Sequence, residues 1–227
     1  MPSPSGPSMH NRLLAALPPD AYAQLKAQWE PIELEVAEHL HVPGEPLRYV
    51  YFPTGAVTVL IYQVDHRPPL AVGLVGFEGL VGLPVFLGAH SARWGAQVHL
   101  AGTALRLPAE RLRQMCQEEG PLPEQLRHYT DTLLAQVIQS AACGRFHVLS
   151  ARLARWLLMT DDCSSADSLP MTHQTLAGLL GVRREAVSNA AGVLQRQRLI
   201  GYRRGVLHIF DRTGLEAIAC TCYRQTA

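Results

Sequence analysis

Eight arginines crowd the last quarter of the chain, Arg183, Arg184, Arg196, Arg198, Arg203, Arg204, Arg212 and Arg224, against only Glu185, Asp211 and Glu216. Residues 171–227 therefore carry a net +5, whereas the other twelve basic and sixteen acidic residues leave −4. Guanidinium groups gathered in one region have a plain chemistry: they neutralise phosphates and release the counterions condensed there. The formal charge of +1 over all 227 residues conceals this split.

Other chemistries are thinner. No G-x-S-x-G, H-E-x-x-H or Walker A pattern occurs, so the sequence predicts no enzyme. Cys220-Thr221-Cys222 is a C-x-C that could ligate a metal or respond to oxidant, but ordinary partly buried cysteines are the plainer reading and no metal site is expected. His39 and His41 would share one strand face, yet two histidines without a third ligand read as surface residues. Five scattered cysteines and no signal peptide predict reduced thiols in a cytoplasmic protein. Leu70–Ala89 is apolar apart from Glu78, but its dense glycines and Pro84 suit short strands and turns, not a membrane span.

The elements that must position the arginines are legible. Thr172 suits a helix N-cap, Leu176, Leu179 and Leu180 form an apolar face, and Gly181 suits the left-handed C-terminal position. A second helix opens near Arg184, with Val187, Ala190, Ala191 and Leu194 at i, i+3, i+4 and i+7. Arg184, Glu185, Ser188 and Asn189 fall largely outside that stripe. Two short helices joined by a glycine turn form a helix-turn-helix. Residues 199–202 and 206–209 then read as two strands around Arg203-Arg204-Gly205, a small wing with arginines at its tip.

Upstream, residues 1–11 read as a disordered tail and Arg12–Glu30 as a helical lead-in. From Ile32 to about Leu107, short apolar runs separated by Gly and Pro predict a β sandwich or barrel. Ala109–Glu119 reads as a short helix broken by Pro121-Leu122-Pro123. A long helix follows from Glu124 to about Cys143, with Leu126, Leu133 and Val137 near heptad spacing and Tyr129 and Thr130 beside them. That stripe could pack within its own domain or against a partner helix, and a dimer seam is the expectation. Val148–Met159 is a further helix and Asp161–Ser168 a polar loop.

The residues Thr172-His173-Gln174 and Gly181-Val182-Arg183-Arg184-Glu185-Ala186-Val187-Ser188-Asn189 resemble the T-x-Q … G-x-S-R-E-T-V-x-R pattern of the Crp–Fnr regulators. The resemblance runs from about Leu13 to Tyr223. It implies an α+β fold: an antiparallel β-roll (a double-stranded jelly-roll of the cyclic-nucleotide-binding kind) over 12–120, a dimerisation helix over 121–146, and a winged helix-turn-helix over 147–227. It also implies a cytoplasmic homodimeric transcription factor on a near-palindromic duplex, with RNA polymerase as a further partner and no membrane. By resemblance, Arg184, Glu185, Ser188 and Asn189 would face base edges, while Thr172, Gln174, Arg183, Arg203 and Arg204 would contact phosphates. The chemistry agrees: Arg can bond guanine bidentately, Glu can accept from cytosine N4, and Asn can pair with adenine. Two positions depart from the pattern. Arg183 stands where Ser often caps the recognition helix, and Asn189 replaces the usual Arg, predicting an altered half-site.

Pro43-Gly44-Glu45, Tyr51–Gly55 and Phe77–Pro84 look like the turn and phosphate-binding segments of the family's sensor domain. The implied effector pocket comprises Phe77, Glu78, Gly79, Leu80, His90, Ser91 and Arg93, and it is degenerate. Leu80 occupies the position of the ribose-binding Glu, and His90-Ser91 that of the phosphate-binding Arg–Ser pair, so cyclic AMP is disfavoured. Arg93 could substitute only if the loop shifts, and Glu78 reads as a structural acid in a Gly-rich turn. The first cysteine is Cys116, which disfavours an N-terminal iron–sulfur cluster, and no residue marks a haem ligand. The competing expectation is an effector- or redox-sensing module whose winged helix docks a protein partner.

Overall fold

The computed structural model describes residues 10–117, 119–164 and 168–225. Residues 1–9 of the expected tail lie outside them, but Asn11 does not behave as tail. Its side chain is buried, accepts from Leu14 N–H at 3.2 Å as the N-cap of α1 (Arg12–Ala15), and donates to the Pro53 and Gly79 carbonyls at 3.0 and 2.8 Å. An amide has donors and an acceptor to offer three backbone groups at once, which is why this residue is drawn inside. The helical lead-in is two helices, α1 and α2 (Pro19–Lys26), which bury Leu13, Leu14 and Leu25.

The β-rich region yields strands β1 (Glu30–Leu34), β2 (His39–His41), β3 (Tyr49–Pro53), β4 (Val57–Tyr62), β5 (Leu70–Val75), β6 (Gly95–Leu100) and β7 (Gly102–Pro108). One sheet has the order β1-β7-β3, antiparallel throughout, with Ile32 opposite Ala104 and Phe52 opposite Leu105. The other has the order β2-β6-β4-β5. Leu34, Ala56, Val98 and Ala104 pack as one cluster, closing a jelly-roll-like core. The Gly-rich stretch resolves into β5 and a single 3-10 turn at Leu83–Val85, as its punctuation predicts. A register shift between His39 and His41 places the two histidines differently. His39 stays exposed beside Gln97, whereas His41 is buried, against the expectation of two surface residues on one strand face.

Helix α3 (Ala109–Met115) follows, then the long α4 (Pro121–Phe146). Pro121 and Pro123 lie in the first turn of α4 and do not precede it; their missing N–H groups are ones the first turn leaves unpaired anyway. After α4 come α5 (Leu149–Asp162), β8 (Leu169–Pro170), α6 (His173–Leu180), α7 (Arg184–Arg196), β9 (Ile200–Arg203), β10 (Val206–Ile209), α8 (Arg212–Ile218) and α9 (Cys222–Gln225). Strand β8 has no counterpart in the sequence reading; it adds to the wing in the order β8-β10-β9. Two compact units result: Met1–Thr58 with Val75–Thr130 and Cys163–Ser165, and Val59–Leu74 with Asp131–Asp162 and Ala166–Ala227.

In the second unit, α5 is the central beam, burying Leu153, Trp156, Leu157 and Leu158. Arg212 at the start of α8 ties its end down. The guanidinium pairs with Asp161, with Asp162 at 2.5 Å and with Glu216 at 3.0 Å, and donates to Tyr223 Oη at 2.7 Å. Tyr223 Oη in turn donates to Asp162 at 2.8 Å. Among the described residues, no helix is long and apolar enough to cross a membrane.

Candidate nucleic-acid interface

Helix α6 starts where Thr172 Oγ1 accepts from Thr175 N–H at 3.1 Å. It ends at Gly181, whose φ of 64° is the left-handed geometry that a side chain with a Cβ resists. Val182 N–H returns to the Ala177 carbonyl at 3.0 Å, and Arg152 donates to the Leu180 carbonyl at 2.8 Å, so the end of α6 is well satisfied. Helix α7 then buries Val187, Ala190, Ala191 and Leu194, the expected stripe. Its N-cap, Arg183, makes no side-chain capping bond, as its residue type predicts.

That anchoring leaves Arg183, Arg184, Glu185 and Asn189 at least partly exposed along the outer side of α7, with Thr172 and Gln174 exposed at the start of α6. Ser188 differs from the other residues expected to face bases. It is half-buried, and its Oγ lies 2.9 Å from His173 Nδ1. The His173 ring meets Tyr202 edge-on at 4.7 Å. Burial, and secondarily the charge of Arg184, holds the His173 imidazole below its ordinary pKa, in its neutral form. His173 and Tyr202 therefore join α6, α7 and the wing. Sequence reasoning passes over both because neither lies on a hydrophobic period.

The wing turns through Arg204 and Gly205, with φ of 51° and 83°. Arg203 pairs with Val206 across it, so the loop is two residues long, as the twist of a hairpin favours. Arg203 and Arg204 are exposed at its tip.

The residues of the expected effector pocket are occupied locally or face water. Glu78 Oε1 accepts from Gly76 N–H at 2.9 Å, closing a tight turn. Phe77 O accepts from Arg12 N–H at 2.6 Å, and the Arg12 guanidinium lies 4.6 Å from the Phe77 ring. Gly79 is held against Tyr129 so closely that a Cβ would overlap the Tyr129 hydroxyl. Leu80 is buried, and its carbonyl accepts from Tyr129 Oη at 3.1 Å. His90, Ser91 and Arg93 are exposed.

The stripe expected to seal a dimer is largely engaged within its own chain. Leu126, Tyr129 and Leu133 are buried and Thr130 and Val137 half-buried, with Thr130 Oγ1 donating back to the Leu126 carbonyl at 2.6 Å. Heptad spacing identifies an apolar face but not what covers it. The large apolar residues that α4 leaves exposed are Leu134, Ile138 and Phe146, at 56%, 61% and 77%.

Cys220 and Cys222 are buried, as expected, but they are not alone. The structure brings Cys143 and His147 to them. These two are 77 and 75 residues away in sequence from their nearest partners, and no local spacing signals the meeting.

Residues 151–218 match the Crp-like helix-turn-helix domain. The fold as a whole is similar to FixK2 from Bradyrhizobium japonicum, at 17% identity and a TM-score of 0.72, covering 85% of this chain and 98% of that one. It is also similar to CLP, the c-di-GMP-responsive global regulator of Xanthomonas campestris (19%, TM-score 0.68, 84% and 98%). A third likeness is to a CRP/FNR-family transcriptional regulator from Thermus thermophilus (21%, TM-score 0.68, 84% and 98%). Sequence comparison with curated proteins returns no match. The chain thus carries a Crp-like helix-turn-helix domain over residues 151–218, and its fold is similar to that of CRP/FNR-type regulators.

Proposed function

We propose that the protein is a cytoplasmic homodimer that binds a near-palindromic DNA site and acts by binding, not catalysis. The observation that carries this reading is the outward set Arg184, Glu185 and Asn189 on α7, flanked by Arg203 and Arg204 on the wing. Arg184, Glu185 and Asn189 read base edges, while Thr172, Gln174, Arg183 and the wing arginines hold phosphates. Arg204 supports the second role. A left-handed conformation costs a residue with a Cβ about 1 kcal/mol, and glycine or asparagine would avoid it. An arginine kept there is best explained by use of its charge.

The exposed Leu134 and Ile138, at i and i+4 on α4, supply the dimer seam in place of the stripe read from heptad spacing. A two-fold seam sets the recognition helices one turn of DNA apart, about 34 Å. The β-roll does not bind cyclic AMP in this reading: Glu78 is committed to its own turn and buried Leu80 offers a ribose no carboxylate. RNA polymerase is the partner such a regulator would address. Selection of binding sites from random duplexes, with sedimentation of the complex, tests the proposal. Two half-sites about ten base pairs apart and two chains per duplex are expected; retention of random DNA with no enriched sequence overturns it.

A further inference from the structure

We propose that Cys143, His147, Cys220 and Cys222 form a Cys3His site for one zinc ion, a closed structural site that fastens the C-terminal segment to the end of α4. The four ligand atoms lie within 4.8 Å of one another. Cys143 Sγ is 3.5 Å from Cys220 Sγ, and Cys222 Sγ is 3.7 Å from His147 Nδ1. A tetrahedron with Zn–S bonds of about 2.3 Å and a Zn–N bond of about 2.0 Å has edges of roughly 3.5–3.8 Å. Both distances are edges of that size.

The backbone explains the convergence. Cys143 lies in the last turn of α4 and His147 directly follows the helix, its N–H still bonded to the Cys143 carbonyl at 3.2 Å, so the two stay on one side of the helix end. After α8 the chain turns extended at Ala219, and Cys220 and Cys222 follow as a C-x-C pair, Cys222 opening α9. The two halves thus come from helix ends, and neighbouring Tyr223 is fixed by its bonds to Asp162 and Arg212. The three cysteines are 3–7% exposed and cluster with Ala151.

The donor set selects the metal. Three thiolates and an imidazole suit a soft-to-borderline ion in tetrahedral geometry and reject Mg2+ and Ca2+, which take oxygen ligands. With four protein ligands there is no open position for water, so the ion is structural and not catalytic. Binding is balanced by proton release: one Zn2+ enters, three thiols each lose a proton, and the imidazole binds as the neutral base. No redox step is needed. The inference is independent of how the protein reads DNA.

The test is metal stoichiometry and cobalt spectroscopy on the full-length chain, kept reduced. The wild-type protein should hold one equivalent of zinc per chain. Replacement by Co2+ should give the visible bands of tetrahedral cobalt and near-ultraviolet thiolate charge-transfer absorption. Cys220→Ser with Cys222→Ser should abolish both, and His147→Gln should shift the cobalt bands. Cys116→Ser and Cys163→Ser should leave them unchanged. Because the double serine variant could misfold, the wild-type protein is also titrated with a chelator, and zinc loss should release the segment around α9 to faster hydrogen exchange. Failure of the reduced wild-type protein to take up zinc or cobalt overturns the proposal. So does survival of the bands in the folded double variant, or a Cys143–Cys220 disulfide in the reduced protein.

Discussion

His173 Nδ1 and Ser188 Oγ are 2.9 Å apart, and this hydrogen bond joins the two helices of the helix-turn-helix. Ser188 is therefore turned toward the scaffold while Arg184, Glu185 and Asn189 point outward. Ser188→Ala should lower stability by about 1 kcal/mol, the typical net worth of one neutral hydrogen bond. It should leave the order of preferred DNA sequences intact. Urea unfolding and site selection on the same variant check both halves; a changed half-site would return Ser188 to the base-contacting set.

Arg184→Ala and Glu185→Ala should each relax preference at one base pair, at a cost of about 1–3 kcal/mol in discrimination. Arg203→Ala and Arg204→Ala should weaken binding to all sequences alike. Each should also reduce the slope of log K against log salt by about 1. Affinities measured over a salt series on specific and random duplexes separate the two kinds of loss. If the wing variants altered specificity and kept the full slope, the assignment of phosphates to the wing would fail.

Leu134→Asp combined with Ile138→Asp should weaken dimerisation by roughly 3 kcal/mol or more, on the order of 100-fold, because two carboxylates would be desolvated without partners. Leu126→Ala, in contrast, should destabilise each protomer by about 2–5 kcal/mol as a core truncation. Sedimentation and thermal unfolding distinguish them. A folded, monomeric Leu126→Ala beside a dimeric double aspartate would reverse the assignment of the two faces of α4.

Burial holds the imidazoles of His41 and His99 at a pKa of about 4, and for His41 a backbone hydrogen bond at Trp94 acts weakly against this. Both are neutral in the fold, whereas an unfolded histidine titrates near 6.5. The unfolded chain therefore binds more protons below pH 6.5. Their contribution is complete above that pH and lost as pH falls toward 4, at most roughly 3 kcal/mol each. Urea unfolding between pH 7.5 and 4.5 should show this decline, and His41→Gln should flatten it. An unchanged slope in that variant would exclude His41 from the acid response.

Much of the C-terminal domain is readable from local rules. Thr172, Gly181 and the Val187–Leu194 stripe act within one or two turns of chain, so residue type alone decides them. The same holds for Gly205 in the wing and for the uncapped Arg183. Asn11 escapes such rules because its three backbone partners include the Pro53 and Gly79 carbonyls, remote in sequence. His41 escapes them because a one-residue register shift redirects a strand side chain, and no composition signals it.

By itself, then, the sequence determined the order of the main regions, the concentration of positive charge in the C-terminal domain and which helix face is apolar. These follow from periodicity, capping and charge counts, all local quantities. Only the tertiary structure decided which apolar face of α4 is covered by its own chain and which is left exposed. It alone turned Ser188 toward His173 and gathered Cys143, His147, Cys220 and Cys222 into one cluster. The reason is the same in each case: the deciding neighbour is distant along the chain, and packing, not spacing, selects it.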